Sequence, residues 1–333
     1  MTKRILTVTN RGDLHADMVL AKAAGGGGEP FRINLDEFPA NFAVALQFGA
    51  PERRGTLTHL PSGDTLPVSD VGAVWMRKKA DFHFGAEPLA AQEKAYAEAE
   101  AEHIMFSLLH SLDCYWMSHP LALRGALWKG EQLVRASRMG FSVPPSIITN
   151  RRAEVEAFRR SAPHGIIFKT LSSVSLGAEQ VSRDDRIAGS LGTTLITDDH
   201  EEALEAVEEL PCLFQHHVPK RHELRVTVIG DEVFAARIHS QDDPRTATDY
   251  RDFSAEILYE AATLAPELER RCVDFLRSYG LTFGAIDIIV TPEGDHVFLE
   301  NNPVGQFLFV EQLVPELDMT GALARALSEG ARR

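Results

Sequence analysis

The stretch Gly284-Ala285-Ile286-Asp287-Ile288-Ile289-Val290, the turn Thr291-Pro292-Glu293-Gly294-Asp295, and His296-Val297-Phe298-Leu299-Glu300-Asn301-Asn302-Pro303 decide the fold. Two runs rich in branched apolar residues flank a turn segment, the pattern of an antiparallel hairpin. Side chains alternate along a strand, so Asp287 and Glu300 on neighbouring strands can project to one face, with Asn302 on Glu300's side. A carboxylate among branched apolar neighbours is costly to bury uncompensated, and magnesium, which prefers carboxylate and amide oxygens, removes that cost. Asp287, Glu300 and Asn302 are therefore expected to be metal ligands. The competing reading is a pair of carboxylates at solvent-facing strand positions.

Working outward from this hairpin, strands dominate the second half of the chain: Gly165 to Thr170, Thr194 to Ile196, Cys212 to His216, Glu223 to Ile229 and Val233 to His239. The last two flank Gly230-Asp231, a strong two-residue turn signal, and a helix is expected from Pro266 to Tyr279. The first third alternates instead. Ile5 to Thr9, a helix from His15 to Ala24 and Phe31 to Leu35 read as a βαβ unit. Gly25 to Gly28 follow the helix and so read as its stop, because a phosphate loop must precede a helix whose N-terminus faces the anion. Thr56 to Leu60 and Thr65 to Val68 form a hairpin pattern, and Val71 to Met76 reads as a buried strand. Arg77, Lys78 and Lys79 follow it, either meeting an acidic substrate at a strand end or forming an ordinary solvated end.

A long helix is expected from Ala90 to Leu112, then a second helical run from Pro120 to Met139 closed by Gly140. Asn150 is positioned to cap a helix from Ala153 to Arg160. The expected class is α/β with α+β character, in three units: 1–118, 119–212 and 213–333.

The bulk numbers narrow the function. A chain of 333 residues with net charge −14 repels a phosphate backbone, so nucleic acid is a poor partner, although local cations can still hold a nucleotide. No long uncharged apolar run offers a membrane span, and the amino terminus enters a strand without space for an export signal. The three cysteines, Cys114, Cys212 and Cys272, have neither disulfide-framework nor zinc spacing. Cytoplasmic residence is the expectation. His216, His217 and His222 offer a rival metal reading, but they lack a convergent partner set.

An Asp on one strand followed by Glu-x-Asn on the next resembles the final metal motif of the ATP-grasp superfamily. Phe168-Lys169, Phe214-Gln215 and Glu223-Leu224-Arg225-Val226 fall in that superfamily's order, and the agreement spans roughly residues 119 to 325. A narrower resemblance is to graspetide synthetases, the microviridin-type enzymes that crosslink side chains of a ribosomal precursor peptide. It is carried by Asp13-Leu14-His15-Ala16-Asp17, Val74-Trp75-Met76-Arg77-Lys78, Asp249-Tyr250-Arg251, Phe283 to Asp287 and Glu300 to Gln306.

The resemblance implies an ATP-grasp fold with an N-terminal pre-ATP-grasp domain, and ATP between the central and C-terminal domains. It implies that Lys129 and Lys169 neutralise ATP phosphates, that Gln215, His216, His217 and Val218 hold adenine through backbone groups, and that Glu223 meets the ribose. Arg225 and Arg237 would stabilise transferred phosphoryl or acyl-phosphate oxygens, and Arg251 would meet the acidic core of the precursor. Thr170 to Gly177 would be a lid over the triphosphate. ATP and Mg2+ are the implied cofactors and a leader-bearing precursor the implied partner, with a homodimer left open. Three positions depart from the family pattern: His216 stands where an acidic residue is common, Tyr250 where tryptophan is familiar, and Asn301 where an apolar residue is common.

The expected reaction is an ADP-forming ligation through an acyl phosphate on an Asp or Glu side chain, completed by Thr, Ser or Lys. Two alternatives stay open: a small-molecule or ribosomal-tail amino-acid ligase of the glutathione-synthetase type, and a non-catalytic ATP-binding regulatory protein.

Overall fold

A computed structural model of the protein describes residues 3–49, 54–85, 89–172, 192–252 and 254–332. Its first unit runs β1 (Arg4–Thr9), α1 (Leu14–Gly25), β2 (Pro30–Asn34), β3 (Phe42–Gln47), β4 (Arg54–His59), β5 (Asp64–Pro67), β6 (Val71–Met76), α2 (Ala91–His110) and β7 (Tyr115–Met117). Strands β2-β1-β6-β7 pair in parallel, and β3-β4-β5 form a separate antiparallel sheet. The near-continuous apolar β1 and β6 are central strands covered on both faces, as parallel sheets require. Met105, Leu108 and Leu109 of α2 join the core with Leu6, Val8 and Val74 on one face. Ile5, Ala73 and Trp75 on the other face meet α1.

The central unit follows with α3 (Pro120–Gly125), α4 (Lys129–Arg138), β8 (Ser146–Thr149), α5 (Arg152–Ser161), β9 (Ile166–Lys169), β10 (Thr194–Leu195) and β11 (Cys212–His216). Its sheet, ordered β10-β9-β11-β8, is antiparallel and encloses a small core of Val155, Ile166, Ile196, Leu204, Val207 and Phe214. The last stretch contributes β12 (His222–Ile229), β13 (Glu232–Ile238), β14 (Tyr259–Ala262), α6 (Pro266–Ser278), β15 (Phe283–Val290), β16 (His296–Asn302), α7 (Leu308–Leu313) and α8 (Met319–Arg332). Its antiparallel sheet has the order β14-β13-β12-β15-β16, with Leu224, Val226, Ile286 and Ile288 in a core shared with Cys272, Phe275 and Leu276 of α6.

Two expectations are corrected. The helical run from Pro120 to Met139 is two helices, because Gly125 is a weak helix former and the chain turns at buried Ala126 before restarting at Lys129. Asn150 does not cap α5: Arg151 occupies that position, and its amide donates to Thr149 Oγ1 at 3.0 Å, a local hydroxyl turn. The chain's last helix, α8, returns to the first sheet. A Cβ on Gly330 would enter the Tyr115 ring and one on Gly72 would meet the backbone of Ala331, so these two glycines let α8 lie close to β6 and β7.

Candidate active site

The five-stranded sheet presents its polar face toward the central unit. In the register of β12, β15 and β16, Asp287 lies opposite Arg225 on one side and opposite Glu300 on the other. A bulge makes the second pairing. Ile288 pairs with Phe298 while Asp287 pairs with Glu300, so Leu299 is the extra residue; because side chains alternate, that one insertion turns Glu300 to Asp287's face. Asn302, paired with Ala285, continues the same row.

Arg225 is buried and donates from Nη1 to Asp287 Oδ1 at 2.9 Å and from Nη2 to Gln306 O at 3.1 Å. A Cβ on Gly305 would come within 2.9 Å of Nη2 and 2.6 Å of the Ala285 Cβ, so the chain can pass Arg225 this closely only as glycine. The Tyr250 hydroxyl, also buried, donates to Asp287 Oδ1 at 3.4 Å. Glu300 forms an ion pair with Lys129 Nζ at 3.1 Å. Burial would raise the Glu300 carboxyl, but Lys169, Lys129 and Arg251 outweigh it and hold it down to about 2. Asn302 is exposed, with Oδ1 accepting from the Val304 amide at 3.1 Å.

Two cavities meet here and share Lys169, Thr193, Arg251 and Glu300 in their walls. The first runs along Gln215, His216, His217 and Val218 to Glu223 and Asp287. Gln215 is buried and donates from Nε2 to Ser146 Oγ at 2.9 Å. The amides of His216 and His217 donate to Pro145 O and Gly165 O, each at 2.9 Å, and the His216 ring packs on Phe158. Glu223 is paired with Lys220 Nζ at 2.6 Å, and burial raises its carboxyl in spite of that lysine. The second cavity holds Lys129, Asn302 and the apolar side chains of Leu127, Trp128 and Ile148. Arg251 stands between the two, gripping Asp249 through Nε at 2.8 Å and Nη2 at 2.6 Å.

Arg237 is not brought to this face. It pairs with Leu224, one residue out of step with Arg225, and its guanidinium meets Glu260 at 2.7 Å on the other side of the sheet. Arg77 is likewise drawn away from substrate. It is 3 % exposed, donates to Val304 O at 2.7 Å and lies 3.7 Å from the fully buried Asp13, around which Thr9, His15 and Lys78 also gather. Sequence reading missed Lys220, which also donates to Thr248 O at 3.0 Å, and the Tyr250–Asp287 contact, because Thr248 and Tyr250 are distant from these partners in sequence. The expected lid falls mostly outside the described residues, which include only Thr170, Leu171 and Ser172 of it.

The donor set suits magnesium. Among the described residues no three His, Cys, Asp or Glu side chains form a metal cage. Two carboxylates and a carboxamide facing a cationic cavity are instead the sparse oxygen set of an ion that keeps waters and substrate phosphates as its other ligands. Both recorded hydrogen bonds to Asp287 fall on Oδ1.

Fold and site define an ATP-grasp ligase. Residues 4–123 match the MvdD pre-ATP-grasp domain. It is similar to the macrocyclase MdnC from Microcystis aeruginosa MRC, crystallised with precursor peptide MdnA, at 26% identity and TM-score 0.84 over 98% of this chain and 99% of that one. It is similar to a ribosomal-peptide-associated ATP-grasp ligase from Chryseobacterium gregarium, bound to ADP with a leader and core peptide, at 27% identity and TM-score 0.88 over 98% and 97%. The ligase PsnB, solved with minimal precursor, Mg and ADP, shares the fold at 24% identity and TM-score 0.75 over 99% of each chain. No curated protein matches the chain. Among the described residues no helix is long and apolar enough to cross a membrane.

Proposed function

We propose that this protein matures a ribosomal precursor peptide: with ATP and Mg2+ it activates Asp or Glu side chains as acyl phosphates and closes ester or amide crosslinks to Thr, Ser or Lys. The observation that carries the reading is the Asp287–Glu300 cross-strand pair at the junction of two cavities, with Lys129, Lys169 and Arg251 around it. The comparisons with MdnC and the Chryseobacterium ligase support a peptide as the partner.

One cavity takes the nucleotide and the other the acidic peptide segment. Backbone groups of residues 215–218 hold adenine, the amides of His216 and His217 being already engaged. Glu223, fixed by Lys220, meets the ribose. Lys169 and Lys129 would hold the phosphates, Lys129 exchanging its pair with Glu300 for them. The ion, held by Asp287, Glu300 and Asn302, supplies neutralisation of charge on the transferring phosphoryl group. Arg225 holds Asp287 aligned through their 2.9 Å ion pair, and directs positive charge at the same oxygens. Arg251 orients the substrate carboxylate for attack on the γ-phosphate. The hydroxyl or amine then adds to the acyl carbon and phosphate leaves, with catalysis coming from positioning and electrostatics. The units 1–118, 119–212 and 213–333 serve as pre-ATP-grasp, central and C-terminal domains. A reaction that uses ATP and a newly made peptide belongs in the cytoplasm.

The test is incubation with ATP, Mg2+ and a leader-bearing peptide whose core is rich in Thr, Ser, Glu and Asp. Loss of one water per crosslink, with ADP formed only when peptide is present, is expected. ADP formation driven by free amino acids would instead favour a glutathione-synthetase-type ligase, and tight ATP binding with no turnover on any carboxylate would favour a regulatory protein.

A further inference from the structure

Gln132 lies one helical turn after Lys129 on α4, in the wall of the second cavity, with its carboxamide turned to the sheet. It is 3 % exposed, and its carboxamide makes two bonds to the backbone of one residue of β16: Nε2 donates to Asn301 O at 2.9 Å, and Asn301 N donates to Oε1 at 2.8 Å. The remaining Nε2 hydrogen goes to Ala126 O at 2.6 Å, in the break between α3 and α4. Both donors and the acceptor of this buried amide are therefore used, the condition under which a buried polar group fixes geometry instead of weakening it.

The place it grips matters. β16 is the edge strand of the sheet, so beyond β15 its outward backbone groups have no neighbouring strand. Ser142 O supplies one partner, accepting from Phe298 N at 2.8 Å, and Gln132 supplies the next at Asn301. Between these two supports lies the bulge that turns Glu300 toward Asp287. Asn301 sits between Glu300 and Asn302, and the two bonds hold the Glu300–Asn301 and Asn301–Asn302 peptide planes, which fixes the directions of both flanking side chains. The Asn301 side chain adds nothing to that hold, since neither its Oδ1 nor its Nδ2 has a hydrogen-bond partner among the described residues. The same helix carries Lys129 to Glu300 at 3.1 Å.

We infer that Gln132 is a positioning residue: it acts as a one-residue strand that locks Glu300 and Asn302 in ligand geometry and couples them to the phosphate-facing lysine of α4. This rests on the metal reading of Asp287, Glu300 and Asn302. Groups that orient metal ligands without touching the ion typically change metal affinity by about 10- to 100-fold when removed.

The experiment measures Mn2+ binding to the ADP complex by electron paramagnetic resonance, in the native protein, in Gln132→Met and in Arg135→Ala. Arg135 anchors the same helix to Ser278 O of α6 and pairs with Glu131 one turn back, and none of its hydrogen bonds goes to β16, so it controls for general loosening of α4. The expected result is a folded Gln132→Met variant whose Mn2+ affinity falls at least about 10-fold, with native affinity in Arg135→Ala. Equal affinity in native and Gln132→Met, or equal losses in both variants, overturns the inference. If the native complex binds no Mn2+, the metal reading itself fails instead. Should Gln132→Met not fold, Gln132→Glu keeps the acceptor for Asn301 N and loses the donors, and the same affinity loss is expected. Hydrogen exchange on the native protein then gives an answer independent of any variant. Metal and ADP should slow the Asn301 amide and the first turn of α4 together, and uncoupled changes contradict the lock.

Discussion

Two clusters of carboxylate and cation in this molecule look alike in composition and differ in what surrounds them. Asp13 sits fully buried among Thr9, His15, Arg77 and Lys78 in the first sheet's seam. Asp287 and Glu300 sit among Arg225, Lys129, Lys169 and Arg251, but on the wall of joined cavities. In both, cations hold a carboxyl below its ordinary range against the opposing effect of burial. The sealed cluster spends its charges on one another and on Val304 O, tying the pre-ATP-grasp unit to the loop after β16. The open cluster has cations left for a ligand. Access to a cavity, more than charge or pKa, separates architecture from chemistry here.

That contrast can be broken most sharply at Asp287. Asp287→Asn should lower ADP formation by about 10³-fold with the fold intact by circular dichroism, because it removes a metal ligand and Arg225's partner together. A near-native rate would erase the distinction between the clusters. Asp13→Asn should act in the opposite currency: about 3 kcal/mol of stability lost in denaturant unfolding, since Arg77 is left buried without its counter-charge, while turnover of the remaining folded protein stays within a few-fold of native.

A smaller effect is expected at the boundary between the cavities. Arg251→Ala should slow peptide crosslinking about 10-fold and leave ATP affinity nearly unchanged, as loss of a charge-assisted bond to the peptide carboxylate would do. Equal crosslinking rates would remove Arg251 from substrate binding. The acid limb gives a further comparison. An unfolded Glu titrates near about 4.3 and Glu300 in the fold at about 2, so its contribution to stability is fully present above the first value and lost as pH falls toward the second. Without metal, Glu300→Gln should therefore lose less stability than native over that window in acid titrations of unfolding. The least effect belongs to Arg237→Ala, within about 2-fold in all steady-state constants, because its half-exposed pair with Glu260 lies on the far face. A ten-fold loss would place Arg237 in the site after all.

Local pattern made much of this legible in the sequence. The β15–β16 hairpin, the Gly230-Asp231 turn and the βαβ opening are readable because alternation, turn residues and apolar runs act over a few neighbours. What escaped was set by distant contacts. The pairing of Glu300 with Asp287 depends on a bulge at Leu299 that no composition marks. Arg237 read as a partner of Arg225 because both sit on adjoining strands, yet the register puts them on opposite faces, a single residue out of phase. Arg77 read as a free strand-end cation because Asp13 is far away in sequence. α8 gave no sign that it would cover the first sheet, and Gln132 looked like any polar helix residue.

The central claim is that Asp287, Glu300 and Asn302 surround one divalent ion beside the nucleotide phosphates. Diffraction from crystals grown with ADP and Mn2+, collected at the manganese edge, tests it directly. An anomalous peak is expected within coordination distance of an oxygen from each of the three side chains and facing Lys169. A peak elsewhere, with these side chains turned to bulk solvent, would contradict it.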